Sequence, residues 1–343
     1  MRATIKDVAK AAGVSTATVS YVMNNKKVNI SDQTKAKVRQ AAKALNYYPN
    51  HAAVSLATNT TNSIGLLISS ATNPYLATLS NKIRLKLLDR GITLVIGYTD
   101  YNPETAWRYL QAFQERQVDG LIMAQLDFQD STDAAAEKCH DILERFTAPI
   151  VSYGRNTDHN RPISVVAVDQ VHVGYLATRY LLKQGHRRIG CAAGPRNLDV
   201  CELRCQGYRK ALAEFGVEED PSLICYGGFS VEGGMQSLPY LLGQEVTAIF
   251  AFNDLIAYGI YKESNNYNLS IPRDLSVVGV DDIIFSDIIN PPLTSVAQPI
   301  DEIADCLVDA ILKAIQDPAS CQSKELTPIL KVRASAAAPG RKL

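Results

Sequence analysis

The sequence predicts an all-α helix-turn-helix headpiece followed by an α/β core of two doubly wound lobes. Three observations lead to this expectation: a basic first segment of about sixty residues with helical periodicity, a long stretch in which apolar strand-like runs alternate with amphipathic helical runs, and a second start of that alternation. A chain of 343 residues also exceeds the length at which a single core usually divides. We expect the headpiece in residues 1–48, a hinge or linker in 49–61 and the core in 62–343.

Composition places the chain among ordinary globular proteins. Hydrophobic residues make up 46% and charged residues 20%, which fits neither a disordered nor a membrane protein. No apolar run reaches the roughly 18 residues of a membrane span, and the N-terminus lacks the apolar stretch of a signal peptide. We therefore expect a cytoplasmic protein with no membrane partner.

The seven cysteines include no Cys-x-x-Cys pair, which disfavours both a disulfide framework and a structural zinc site. Cys201 and Cys205 could share a helix face, but no nearby histidine completes a metal-binding set. We expect neither a metal nor a cofactor.

Charge is distributed unevenly between the two predicted units. Residues 1–61 carry nine basic and two acidic side chains, a net charge of +7, and the rest of the chain carries −7. A basic folded segment suits a polyanion, because each phosphate that a Lys or Arg neutralises releases counterions. We therefore expect the headpiece to bind a polyanion.

Three short helices are predicted in the headpiece. Thr4, Ser15 and Ser31 are suited to cap their N-termini, and Gly13 separates the first two. The inner faces consist of apolar residues at helical spacing: Ile5, Val8, Ala9 and Ala12, then Val19, Val22 and Met23, then Val38, Ala41, Ala42 and Leu45. A helix, a short glycine turn and a second helix form a hairpin that reads DNA. Pattern alone leaves open a plain three-helix bundle with the basic side chains Lys35, Lys37, Arg39 and Lys43 facing solvent.

Two segments resemble the headpiece of the lactose-repressor (LacI/GalR) family of bacterial transcriptional regulators: Thr4–Ser15 continuing through Ala17–Ser20, and Leu45–Asn50. The resemblance implies that the second helix lies in the major groove of an operator. By position it assigns base and phosphate contacts to Thr16, Ala17, Ser20, Tyr21 and Asn25.

Residues 49–58 resemble the hinge of the same family, which folds into a short helix on DNA and inserts a leucine into the minor groove. Leu56 is that leucine here, and Asn50 and His51 are the other DNA contacts that we expect in this segment. A linker helix with one buried leucine is the alternative.

Two positions depart from the family pattern. Tyr21 stands where arginine is common, and a phenol cannot make the bidentate contact of a guanidinium with guanine, so the operator can differ from the usual half-site. Val54 stands where an arginine usually precedes Ser-Leu, which removes one contact with the groove or the backbone.

Strand-like runs in the core predict where a ligand binds. They begin at Ser63, Ile92, Gly120 and Pro149, restart at Val165, and continue at Ile189, Ala248 and Ser276. Doubly wound sheets bind ligands at the carboxyl ends of their strands, here in a cleft between the lobes. We expect an N-lobe of about 62–160 and 298–320, and a C-lobe of about 161–297 and 321–338.

Residues near these strand ends resemble the periplasmic-binding-protein-like core of the same family. The segments that carry the resemblance are Gly185–Ile189, Arg204–Tyr208, Phe252–Gly259, Ile271–Asp282 and Pro292–Pro299. They imply polar ligand contacts from Arg204, Asn253 and Asp281 and an aromatic platform from Phe229. Three residues at first-lobe strand ends, Asn73, Tyr75 and Arg155, complete the expected effector site. Singly, each could instead cap an element, pair with a neighbour or pack in the core.

Several donors and acceptors around an aromatic face suit a sugar, and a purine stays possible. Gly154 and Arg155 stand where some relatives have an acid, which also leaves a sugar phosphate open. The resemblance implies a homodimeric regulator, most often a repressor, with reciprocal coupling between effector and DNA.

Two other classes of protein fit the sequence less well. An enzyme is not expected, because the sequence contains no dinucleotide-binding, Walker-type or nucleophile-elbow motif. An exported sugar-binding transport protein would share the core but would lack the headpiece.

Overall fold

The computed structural model describes residues 3–24, 28–48, 60–126, 134–155, 163–196 and 198–340. The chain divides into two compact units, residues 1–61 and 62–343. No helix within the described ranges has the length and apolarity that crossing a membrane requires.

Three helices form the headpiece: α1 (Ile5–Ala12), α2 (Thr16–Met23) and α3 (Asp32–Ala44). Ser15 accepts a hydrogen bond from the Thr18 backbone N–H at 3.1 Å, and Ser31 accepts one from Thr34 at 3.2 Å, so both serines cap as predicted. Gly13 ends α1 in the left-handed conformation with φ 67°.

The headpiece core forms where the three inner faces meet, around the fully buried Val8, Val19 and Val38. The expectation that Leu45 points inward is wrong, because α3 ends at Ala44 and Leu45 is 37% exposed. The chain turns back instead, and Tyr47 packs against the core with its backbone N–H bonded to Ala42 at 2.9 Å.

The first lobe of the core is a six-stranded parallel sheet. Its strands are β1 (Ser63–Ile68), β2 (Thr93–Tyr98), β3 (Gly120–Ala124), β4 (Ile150–Tyr153), β5 (Ser164–Val168) and β11 (Ser323–Leu326). They lie in the order β11-β5-β4-β3-β1-β2. The helices of this lobe are α4 (Pro74–Leu88), α5 (Pro103–Glu115), α6 (Ala134–Glu144) and α11 (Ile300–Gln316).

The second lobe repeats the plan. Its strands are β6 (Ile189–Ala193), β7 (Ile224–Tyr226), β8 (Ala248–Ala251), β9 (Ser276–Asp281), β10 (Thr294–Ala297) and β12 (Ile329–Lys331), in the order β12-β10-β9-β8-β6-β7. Only β12 is antiparallel to its neighbour among these paired strands. The helices are α7 (Gln170–Lys183), α8 (Asp199–Glu214), α9 (Val231–Gly243) and α10 (Asp254–Ser264), with short 3-10 turns at Pro221–Leu223 and Asn265–Tyr267.

Strand pairing corrects the expected boundary between the lobes. We expected both β5 and β11 in the C-lobe, but β5 pairs with β4 and β11 pairs with β5, so both belong to the first sheet. A buried parallel strand has the same apolar pattern in either sheet, which is why the sequence did not distinguish them. The chain therefore passes between the lobes at three places, after β5, after β10 and after β11.

Candidate functional site

A cavity lies between the two lobes at the carboxyl ends of their strands. The structure brings all seven residues expected for the effector site to its walls: Asn73, Tyr75, Arg155, Arg204, Phe229, Asn253 and Asp281. Each lobe supplies part of the lining, so a ligand in this cavity would contact both lobes.

The first lobe positions its polar residues at the start of α4. Asn73 caps this helix, with its side-chain oxygen accepting the Tyr75 backbone N–H at 2.9 Å. The Tyr75 hydroxyl lies 2.6 Å from the hydroxyl of Tyr153, which ends β4. Burial raises the pKa of both phenols, so both stay neutral.

The second lobe presents a donor from Asn253, which caps α10. Its side-chain oxygen accepts the Ile256 backbone N–H at 2.9 Å. Its amide nitrogen Nδ2 is buried and has no hydrogen-bond partner among the described residues. A buried polar group left without a partner costs roughly 1–3 kcal/mol. A ligand acceptor in the cavity would recover that cost.

Arg204 and Asp281 place opposite charges in the same wall, and both are at least nine-tenths buried. The Arg204 guanidinium donates to the side-chain oxygen of Gln170 at 2.9 Å and to the backbone oxygen of Phe252. Asp281 accepts from Gln298 at 2.7 Å. Burial raises the pKa of Asp281 to about 6, although the Arg204 charge and the Gln298 hydrogen bond act in the opposite direction.

Gln298 connects these groups to the segments that join the lobes. Its Oε1 accepts from Gln170 Nε2 at 3.1 Å and from the Tyr153 hydroxyl at 3.4 Å. Gln170 follows β5 and Gln298 follows β10, so each lies where the chain passes between the lobes. Polar groups of the cavity are thus bonded directly to segments about which the lobes would rotate.

Sequence reasoning missed several residues that line the cavity. The polar ones are Tyr101, Gln125, Tyr153, Gln170 and Asp199, and the apolar ones include Leu126, Leu198, Val200 and Leu203. Tyr101, Gln125, Tyr153 and Gln170 lie at or just after the ends of β2, β3, β4 and β5, respectively. The strand-end rule would have found these four if it had been applied to every first-lobe strand.

The raised pKa of Asp281 predicts that ligand binding weakens in acid. Above pH 6 the carboxylate is ionised and would accept hydrogen bonds from donor groups of a ligand in the cavity. Below pH 6 it takes up a proton and would lose that charge-assisted interaction. If only the ionised form binds, affinity falls about tenfold at one pH unit below the pKa.

Isothermal titration of the cavity ligand from pH 8 to pH 5 measures this loss. An Asp281→Asn variant should bind more weakly and with a flatter profile over the same range. That comparison also separates the effect of Asp281 from that of buried Asp254, whose pKa burial and Asp281 raise to about 7. A wild-type profile as flat as that of the variant would contradict the prediction.

In the headpiece, α2 presents the expected DNA-reading residues away from its core. Thr16, Ala17 and Tyr21 are exposed and Ser20 is half-buried, whereas Val19 on the opposite face is fully buried. Four other expected contacts, Asn25, Asn50, His51 and Leu56, lie outside the described residues, as does Val54.

Comparisons with known proteins match both units. Residues 4–50 match a family model described as bacterial regulatory proteins, lacI family, and residues 178–336 match one described as a periplasmic binding protein-like domain. The ribose operon repressor of Escherichia coli (strain K12) is 34% identical over 338 residues, which cover 97% of this chain and 100% of the repressor.

Solved structures with the same organisation include the lac repressor dimer bound to operator and the anti-inducer ONPF. It is 27% identical, with a TM-score of 0.85, and the match covers 98% of this chain and 100% of that one. A LacI family transcriptional regulator from Enterococcus faecium with bound ribose is 28% identical, with a TM-score of 0.71, covering 80% of this chain and 99% of that one.

Proposed function

Because this chain belongs to the LacI family of bacterial regulatory proteins, we propose that it is a homodimeric repressor whose cavity between the lobes binds a sugar. The chain is an effector-controlled, DNA-binding regulator of transcription and not an enzyme. We place its action in the cytoplasm, where the chromosome is, and its DNA target is a pseudo-palindromic operator.

The arrangement around Asn253 is the observation that carries the sugar assignment. Asn253, whose amide nitrogen has no hydrogen-bond partner within the described ranges, lines the same cavity as Arg204 and Asp281, and Phe229 adds an aromatic surface. A sugar offers several hydroxyl groups that both donate and accept, together with one apolar face. The names of two similar proteins, a ribose operon repressor and a regulator with bound ribose, support a pentose as the first candidate.

The homodimer follows from how such headpieces read DNA. One recognition helix per subunit, placed on each half of a palindrome, requires a two-fold axis. Exposed large apolar side chains suited to a subunit interface occur on α4, at Leu85 and Leu88, and after β9, at Ile284, Phe285 and Ile288. The lac repressor structure to which this chain is similar is a dimer on its operator.

Effector binding would act on DNA through the lobes. A ligand that contacts both lobes favours one rotation of the lobes about the three connecting segments, and the affinities for effector and operator are then coupled reciprocally. In this proposal the Leu56 hinge helix forms in one state and melts in the other. An inducer, which releases the protein from DNA, would bind one of these two states more tightly. A corepressor, which tightens DNA binding, would bind the other.

Isothermal titration calorimetry of the full-length protein tests the ligand class. The panel contains D-ribose, other pentoses, hexoses, a disaccharide, ribose 5-phosphate and purine bases, at fixed salt and pH 7.5. We expect one sugar to bind with one site per chain. Binding of a purine alone would overturn the sugar assignment while leaving the cavity as the site, and an absence of binding by every compound would overturn the proposal.

Replacing Tyr21 by alanine tests the reading surface. A contact with a base edge typically contributes about 1–3 kcal/mol of discrimination, so we expect operator affinity to fall about tenfold or more. Affinity for an unrelated duplex should stay unchanged, because non-specific binding depends on the basic residues. Fluorescence anisotropy titrations against both duplexes measure this. Gln40→Ala, at an exposed position of α3, is the control; an equal loss in both variants would contradict a role for Tyr21 in reading sequence.

A further inference from the structure

Two opposite charges meet across the cavity at its solvent-facing edge. Arg155 follows β4 in the first lobe, and Asp199 is the first residue of α8 in the second lobe. The Arg155 guanidinium donates to the Asp199 carboxylate, and both side chains are about one-third exposed, at 34% and 38%. This ion pair therefore joins the two lobes directly and forms part of the cavity wall.

The charges that line the cavity are balanced. Among the lining residues that the structure describes, four are charged: Arg155, Asp199, Arg204 and Asp281. Arg204 is close enough to Asp281 to lower its pKa, and Arg155 is paired with Asp199. The described wall thus offers two positive and two negative groups, with no excess of cationic charge for an anionic ligand.

Asp199 also occupies the position that an anion would prefer. The first turn of a helix carries unpaired N–H groups and a partial positive charge, which attract anions. At the start of α8 the capping residue Leu198 offers no side-chain acceptor, and Asp199 supplies a carboxylate there. The protein therefore supplies an anion of its own in the first turn of α8, and this carboxylate is paired with Arg155.

We infer that the Arg155–Asp199 pair determines specificity by excluding anions, so that the cavity accepts an uncharged sugar and rejects sugar phosphates and sugar acids. A phosphate group would face the Asp199 and Asp281 carboxylates and would have to displace Asp199 from Arg155. The inference rests on the proposal that this cavity is the effector site. It argues against a sugar phosphate as the effector, which the presence of Arg155 left open in the sequence analysis.

Variants that change the charge of one or both residues distinguish the contribution of Asp199 from that of Arg155. Asp199→Asn removes the carboxylate and keeps the size of the side chain, so the cavity gains a net positive charge. Arg155→Gln/Asp199→Asn restores neutrality. Glu214→Gln is the matched control, because the Arg179–Glu214 pair has similar exposures, 36% and 39%, but lies within the second lobe and outside the described lining of the cavity.

The experiment measures binding of inorganic phosphate, D-ribose and D-ribose 5-phosphate to full-length wild type and each variant by calorimetry and thermal shift. For Asp199→Asn we expect phosphate affinity to rise at least tenfold, and the preference for ribose over ribose 5-phosphate to shift at least tenfold toward the phosphate. The double variant should lose both gains, and Glu214→Gln should show neither.

The inference is overturned if wild type binds ribose 5-phosphate as tightly as ribose. It is equally overturned if Asp199→Asn gains no more phosphate affinity than Glu214→Gln does. The phosphate measurement does not depend on a sugar. A phosphate gain that is specific to Asp199→Asn, in a protein that binds no sugar, would therefore support the role of the ion pair and contradict the proposed effector.

Discussion

Replacement of Arg204 by alanine is expected to lower effector affinity at least about 100-fold, or about 2.7 kcal/mol, while operator binding without effector is retained. Arg204 is 3% exposed and is held by Gln170 and the Phe252 carbonyl. Its removal takes away a donor from the cavity wall and removes the Arg204 charge that favours the ionised form of buried Asp281.

Calorimetry with the effector and anisotropy with the operator measure the two affinities separately. Arg209→Ala is the matched control, because Arg209 lies on the same helix, pairs with Glu202 and Glu219 at 2.8 Å, and is not among the described lining residues. We expect this control to bind effector within about twofold of wild type, as is usual for exposed ion pairs. Equal losses in the two variants would mean that Arg204 acts through the stability of α8.

Replacement of Gly207 by alanine is expected to lower the free energy of unfolding of the core by about 3 kcal/mol. Helices α7 and α8 approach closely here: a Cβ on Gly207 would lie 2.0 Å from the Val171 carbonyl oxygen and 2.6 Å from the Tyr175 nitrogen. These are backbone atoms, so the helices themselves must separate. Because Arg204 is on α8, that shift should also weaken effector binding.

Gly243→Ala is the control for this substitution. Gly243 ends α9, and a Cβ added there would meet no atom within 4 Å. Adding a methyl group in open helical space reduces the freedom of the unfolded chain, so stability should be unchanged or higher by up to about 1 kcal/mol. Urea unfolding followed by circular dichroism measures both variants. A Gly207→Ala variant as stable as Gly243→Ala would show that the two helices can separate at little cost.

Local patterns explain which parts of the fold were predictable. The bounds of α1 follow from the helical spacing of apolar residues and from a capping serine or threonine, and those of β1 follow from an unbroken apolar run. The residues that give each signal lie close together in the chain. The sheet to which β5 belongs depends on pairing with β4 and β11, and β11 lies more than 150 residues further along the chain. No local pattern carries that information.

The same distinction applies to the cavity. Asn253 and Asp281 could be singled out by their position at strand ends, because parallel strands place their carboxyl ends at one edge of the sheet. Their assignment as ligand contacts came from the resemblance to the LacI/GalR family. The contact of Gln170 with Gln298 joins positions 128 residues apart, and the pairing of Arg155 with Asp199 joins positions in different lobes. Such contacts depend on how the two sheets are placed, so sequence could indicate the residues but not their partners.

Operator affinity measured with and without the effector tests the central claim most directly. The operator is first selected from random duplexes at fixed salt with the full-length protein, and the selected site is then titrated with and without the sugar that calorimetry identifies. We predict a pseudo-palindromic site whose affinity changes at least tenfold, about 1.4 kcal/mol of coupling, with the change lost in Arg204→Ala. A selection that yields only salt-dependent binding without a consensus, or a sugar that binds the cavity and leaves operator affinity unchanged, would contradict the account.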